Sequence, residues 1–295
     1  MTNTNNASLP ESWVLEARNL TKRYGSGCAY CDTLTGPERG NRCSVCGTIT
    51  ACKNINFVLT QGEILGIVGE SGSGKSTLMQ LVNLALAADS GELWYRELSN
   101  LETASHSNSN PVNLLTLDKD ARRTFRNQRL GIVYQRPELG LNMAFSVGGN
   151  VAEKLLLANW RHVGRIRQRT SELMRLTELP PERIDDEPRS FSGGMLQRVQ
   201  ISKALSSNPA ILLLDEVTSG LDLSVQARVL DLIRQIQWEL KITMLLVSHD
   251  LGVIKQLAGR TLVMKNGYVV EQGLTDQILE DPQHPYTQLL VSSTL

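Results

Sequence analysis

Gly69-Glu70-Ser71-Gly72-Ser73-Gly74-Lys75-Ser76 fits the pattern G-x-x-x-x-G-K-[S/T]. An apolar run, Glu63-Ile64-Leu65-Gly66-Ile67-Val68, leads into it, and a helical stretch, Lys75 to Leu86, leads out. Strand, glycine turn and helix in that order open a parallel α/β unit. The glycines let the backbone curl so that successive amides face phosphate oxygens. The helix that starts near Lys75 aims its positive end at the same anion. Lys75 then reaches the β- and γ-phosphates, Ser76 offers its hydroxyl to Mg²⁺, and Thr77 stands in the same first turn. A glycine-rich turn produces this pattern by accident in about one chain in a hundred of this length, and the strand–helix placement lowers that rate further.

Downstream, Ile211-Leu212-Leu213-Leu214-Asp215-Glu216 is an apolar strand ending in two carboxylates. Alone it reads equally well as a strand ending in solvated acids. Behind a phosphate loop it reads as a magnesium-holding Asp215 and a water-polarising Glu216. Thr243–Val247 and Leu262–Met264 are further buried strands, and Val14–Leu20 reads as an edge strand. Apolar residues at 229, 232, 233, 236 and 240 give Asp222–Leu240 a helical period. Val147–Glu178 reads as helical with a break near Gly164, and Ser192–Ser207 as helical again. Thr103–Asn113 reads as a mobile Ser/Asn loop, and residues 1–12 as a disordered tail.

The chain has 295 residues, 41% apolar and 20% charged, with 30 basic and 30 acidic side chains. That balance excludes global disorder and a general electrostatic attraction for nucleic acid. Aromatic content of 5% is too low for a base-stacking platform. No apolar run reaches the roughly 18 residues of a membrane span, and the N-terminus has no secretory pattern, so a cytoplasmic protein, at most peripheral to a membrane, is expected.

All five cysteines fall between Cys28 and Cys52. Cys28-x-x-Cys31 and Cys43-x-x-Cys46 make two close pairs, a spacing suited to a tetrahedral Zn²⁺ site, with Cys52 spare. Free thiols in a loop and an iron–sulfur site are the alternatives. The segment 28–52 is expected to be a structural clip or docking surface, apart from the phosphate contacts.

Together these motifs resemble the ATP-binding cassette ATPases over nearly the whole chain. Phe191-Ser192-Gly193-Gly194-Met195-Leu196-Gln197-Arg198 is similar to the family's signature, where Ser192, Gly193 and Gly194 open a helix that grips a γ-phosphate. By that resemblance Tyr24 stacks on adenine, Gln135 touches Mg²⁺ and the attacking water, Ser219–Asp222 forms the D-loop and His249 contacts the γ-phosphate. Val217 and Met195 depart from the commonest family pattern, which has proline and glutamine there. The implied fold is α/β: a RecA-like P-loop core, an antiparallel β-subdomain and a helical subdomain at about 141–206, within one cassette spanning 13–295. The implied assembly is two copies closing head-to-tail over two ATP molecules. Arg183–Asp186, Ser146–Asn150, Gly220–Asp231 and His284–Ser293 look most like the cassette subunit of the carbon–phosphorus lyase system. The ATPases of oligopeptide and nickel importers share much of this. The partner is therefore expected to be a phosphonate-lyase core complex or, as the alternative, a membrane permease. A DNA-repair cassette is disfavoured, because long coiled-coil inserts and positive charge are both missing.

Overall fold

The computed structural model describes residues 12–98 and 110–293. The tail at 1–11 and most of the expected Ser/Asn loop lie outside the described residues. Among the described residues ten strands form two sheets. β1 (Trp13–Tyr24), β2 (Ile49–Thr60), β4 (Ser90–Tyr95) and β5 (Val112–Asn113) build an antiparallel sheet in the order β2-β1-β4-β5. β3 (Ile64–Val68), β6 (Leu130–Val133), β7 (Ile211–Asp215), β8 (Thr243–Val247), β9 (Arg260–Lys265) and β10 (Tyr268–Leu274) build the second, ordered β10-β9-β3-β8-β7-β6. There β9, β3, β8, β7 and β6 run parallel and only β10 is antiparallel.

The parallel strands are largely apolar, with polar residues mainly at their ends, because both faces are covered. Along β7 the side chains alternate between two cores: Leu212 and Leu214 join one, Ile211 and Leu213 the other. Met244 and Leu246 of β8 point to the first core, Leu245 and Val247 to the second. Helix Leu223–Leu240 supplies Val229, Leu230, Leu232, Ile233 and Ile236 to the first. Helix Lys75–Val82 and the antiparallel sheet close the second. Residues 141–206 are mostly helical, and a third apolar cluster forms around Val147, Met174, Ile184 and Phe191.

Several sequence expectations shift. Val14–Leu20 lies inside β1, which pairs on both sides and is no edge strand. The first helix ends at Val82 rather than Leu86, since Leu84 turns into the left-handed region at φ 55°. The break in the helical stretch falls between Leu157 and Val163, and Gly164 is inside the second helix. Asn113 belongs to the short strand β5 rather than to a loop. The cysteine segment is also shifted from 28–52 towards the N-terminus. β1 ends at Tyr24, β2 begins at Ile49, and these two residues are register partners. The excursion 25–48 therefore leaves and rejoins the sheet at one point, and Cys52 is a buried strand residue.

Candidate active site

The phosphate loop sits between β3 and helix Lys75–Val82. Its curl depends on glycine at two positions. Gly74 adopts φ +107°, and a Cβ there would lie 2.1 Å from the Ala51 carbonyl oxygen. A Cβ on Gly69, at φ +150°, would lie 2.1 Å from the Met264 carbonyl oxygen. The loop is thus pressed against β2 on one side and β9 on the other. Lys75 is buried and its Nζ donates to the carbonyls of Gly69 (2.6 Å) and Glu70 (2.9 Å). Burial pulls its pKa down, opposed by the nearby Glu216 and Asp215 carboxylates. Ser73 Oγ is buried with no hydrogen-bond partner among the described residues.

A cleft of about 690 Å³ opens over this loop. Tyr24, Ser71, Gly72, Gly74, Lys75, Ser76, Thr77, Glu216 and His249 line it, so most of the residues singled out for nucleotide meet in one place. Asp215 ends β7. Burial first, and the Glu216 charge second, push its carboxyl pKa up, against the pull of Lys75. Glu216 follows in a left-handed backbone (φ 47°), unusual for a side chain with a Cβ. Its amide bonds the Val247 carbonyl at 2.9 Å, and its own carbonyl accepts from Ser219 N at 3.0 Å, which holds that turn. Strain of this kind gathers at functional sites. One oxygen, Glu216 Oε2, collects two neighbours: Gln135 Nε2 donates to it at 3.0 Å, and His249 Nδ1 lies 3.1 Å away. Gln135 Nε2 also donates to Ser219 Oγ at 3.1 Å. A carboxylate held by Gln135 and flanked by His249 beside a phosphate loop can orient a water against a phosphoryl group.

The signature residues stand apart from this cleft, whose lining does not include Ser192, Gly193 or Gly194. Ser192 caps helix Gly193–Leu205, its Oγ accepting from Met195 N at 3.4 Å. A Cβ on Gly194 would lie 2.3 Å from Val225 Cγ1, so the signature packs against the helix that follows the D-loop. Arg183 braces the same loop. Its guanidinium stacks 4.0 Å from the Phe191 ring and donates to the Ser190 carbonyl.

Cys28, Cys31, Cys43 and Cys46 converge, with all four Sγ atoms within 4.8 Å of one another. Adjacent sulfurs are 3.7, 3.7 and 3.4 Å apart. A tetrahedral Zn²⁺ with Zn–S bonds of about 2.3 Å needs sulfur–sulfur edges of about 3.8 Å, so the donor set fits that ion. Hydrogen bonding with Thr48 draws the Cys46 thiol down to about 6. Cys52 lies apart, and burial pushes its thiol up to about 12.

The cysteine segment reaches the phosphate loop itself. Asn41 and Ile49 line the cleft, and Asn41 Nδ2 donates to the Gly72 carbonyl at 3.2 Å. No motif marks Asn41, because only the folding back of the excursion brings it to the loop. Two more partners escape a sequence reading. Tyr286 accepts from the Glu70 amide at 3.1 Å across 216 residues. The buried Gln200 clamps Tyr134, next to Gln135, accepting from its N and donating to its O at 3.1 Å each.

Residues 52–219, more than half of the chain, match the ABC transporter family. The chain belongs to that family. This cassette is an ATPase of the P-loop class, and residues 270–295 also match the oligopeptide/dipeptide transporter C-terminal region. It is 42% identical to PhnK of Escherichia coli (strain K12), over 96% of this chain and 98% of that one. The name of PhnK provisionally makes it a phosphonates utilization ATP-binding protein. The dipeptide transport ATP-binding protein DppF of the same organism is 35% identical over 95% of this chain and 76% of its own. The oligopeptide transport ATP-binding protein OppD of Bacillus subtilis (strain 168) is 36% identical over 84% and 67%. Among solved structures, the dimeric bacterial ABC transporter cassette MJ0796 superposes with a TM-score of 0.70 at 26% identity, covering 88% of this chain and 98% of its own. MJ0796 has also been seen as a post-hydrolysis dimer bound to ADP and Pi. Among the described residues no helix is long and apolar enough to cross a membrane.

Proposed function

We propose that this cassette hydrolyses ATP to drive a carbon–phosphorus lyase complex that degrades phosphonates. The observation that carries the reading is the likeness to PhnK over almost the full length of both chains. The curled amides of residues 69–76 and Lys75 cradle the β- and γ-phosphates. Ser76, Gln135 and Asp215 hold Mg²⁺, which when bound neutralises phosphate charge. Glu216, kept in place by Gln135 and His249, orients the attacking water. Tyr24 takes the adenine ring. Ser192, Gly193 and Gly194 lie away from their own cleft, so they serve the cleft of a second copy, and two cassettes close over two ATP molecules. Cys28, Cys31, Cys43 and Cys46 hold one structural Zn²⁺. The protein works in the cytoplasm, without binding nucleic acid, on a soluble partner complex.

A second reading, the ATPase of a membrane importer, is favoured by the match of residues 270–295 to the oligopeptide/dipeptide region. Affinity purification from the native cell grown on a phosphonate as sole phosphorus source separates the two. Co-purifying lyase subunits support the first reading; a co-purifying permease, with lyase subunits missing, overturns it.

A further inference from the structure

The excursion 25–48 springs from the mouth of the nucleotide cleft and bends back over it. Asn41, between the two cysteine pairs, is anchored at its backbone, where its carbonyl accepts from Thr50 N at 2.7 Å. Its side chain reaches the phosphate loop at Gly72. Nδ2 carries a second N–H, and Oδ1 can accept, so the amide can serve the loop and a nucleotide together. The same excursion grips the turn between β9 and β10. Both oxygens of Glu38 accept from Lys265 Nζ at 2.9 Å, and the Pro37 carbonyl accepts from Asn266 Nδ2 at 2.7 Å. That turn in turn donates Gly267 N to the Ser73 carbonyl at 2.9 Å. Two neighbouring carbonyls of the phosphate loop are therefore held by the excursion, one directly and one through the turn.

What holds the excursion itself is narrow. Its only buried apolar side chains are Cys31 and Cys43. A segment with no apolar core of its own cannot offset its ordering entropy by burial, so a metal-linked cluster becomes its fold. All of Pro37, Glu38 and Asn41 fall between the cysteine pairs.

We propose that the cysteine knuckle is a wall of the nucleotide site, with Asn41 a nucleotide-positioning residue and metal loading of 25–48 setting the affinity for adenine nucleotide. Only the metal half of this rests on the zinc reading above. The probe is MgADP, which fills the phosphate loop but offers no γ-phosphate to a second copy, so calorimetric titration reads one chain. Elemental analysis runs on the same samples. Wild-type protein should carry one zinc. Asn41→Ala should keep the zinc, weaken MgADP about three- to tenfold, the range of one neutral hydrogen bond, and raise KM for ATP equally with kcat within about twofold. Cys43→Ser should lose the zinc and weaken MgADP further. An Asn41→Ala protein with wild-type affinity overturns the wall, and it does so even where Cys43→Ser does not fold. A metal-free Cys43→Ser protein with wild-type affinity overturns the metal coupling while leaving the zinc site standing. A wild-type protein without zinc and with all five thiols titratable overturns the zinc reading and the coupling together, with Asn41→Ala still deciding the wall.

Discussion

Glu216→Gln separates chemistry from binding, and the geometry sets how far apart they should move. The substitution keeps the shape of the side chain and leaves a carbonyl oxygen to accept from Gln135 and His249, which now lie 3.0 and 3.1 Å from Oε2. What disappears is one negative charge and the ability to take up a proton. Loss of a positioned base costs about 10²- to 10⁴-fold in rate, or about 3–5 kcal/mol in the barrier at 1.36 kcal/mol per decade. Binding should move the other way. The Glu216 charge is one of the causes that raise the Asp215 pKa, so its removal shifts that pKa back down and eases ionisation of Asp215. It also removes a carboxylate that faces the triphosphate across the cleft. MgATP affinity should therefore be unchanged or a few-fold tighter. Steady-state and single-turnover hydrolysis give the rate, and calorimetric titration gives the affinity. A kcat within tenfold of wild type would show that Glu216 does not orient the water. An affinity more than tenfold weaker would show that the carboxylate supports the nucleotide rather than the reaction.

Gly74→Ala should cost on the order of a hundredfold in MgATP affinity. Its Cβ would sit 2.1 Å from the Ala51 carbonyl oxygen, forcing a shift of about 1 Å in the phosphate loop; titration within threefold of wild type would sink this. Asp215→Asn should raise the Tm of the nucleotide-free protein at pH 7 while abolishing the Mg²⁺-dependent part of ATP affinity. The sign follows from its raised pKa: the folded state binds the proton more tightly, so this group costs stability as pH rises above 3.8, and the amide removes that cost. A Tm that falls, measured by differential scanning calorimetry, would contradict it. Arg183→Ala should lower kcat about five- to tenfold with MgADP affinity unchanged, since Arg183 braces Phe191 and Ser190 next to the signature and not the cleft; parallel losses in both assays would refute that division.

Much of this molecule follows from short-range sequence. The phosphate loop is one strand, one turn and one helix in a row. Asp222 announces a helix start by capping an amide three residues on. The runs 211–214 and 243–247 declare buried parallel strands. Such signals are local because backbone hydrogen bonds within turns and helices span only three or four residues. The pairing of the two C-x-x-C units is equally legible, since identical soft ligands at fixed spacing leave few other uses.

Tertiary structure decided what sequence spacing cannot carry. β1 reads as an edge, yet β4 pairs along its other side, because strand order depends on which chain segments return to a sheet. Tyr286 meets Glu70, and Gln200 meets Tyr134, through sheet order and helix docking rather than periodicity. Asn41 has no motif at all. It enters the nucleotide cleft because Tyr24 and Ile49 are register partners, so everything between them must leave and return at the cleft mouth. Chain connectivity sets the endpoints of such an excursion, but only packing against Gly72, Lys265 and Asn266 chooses the side on which it lies down.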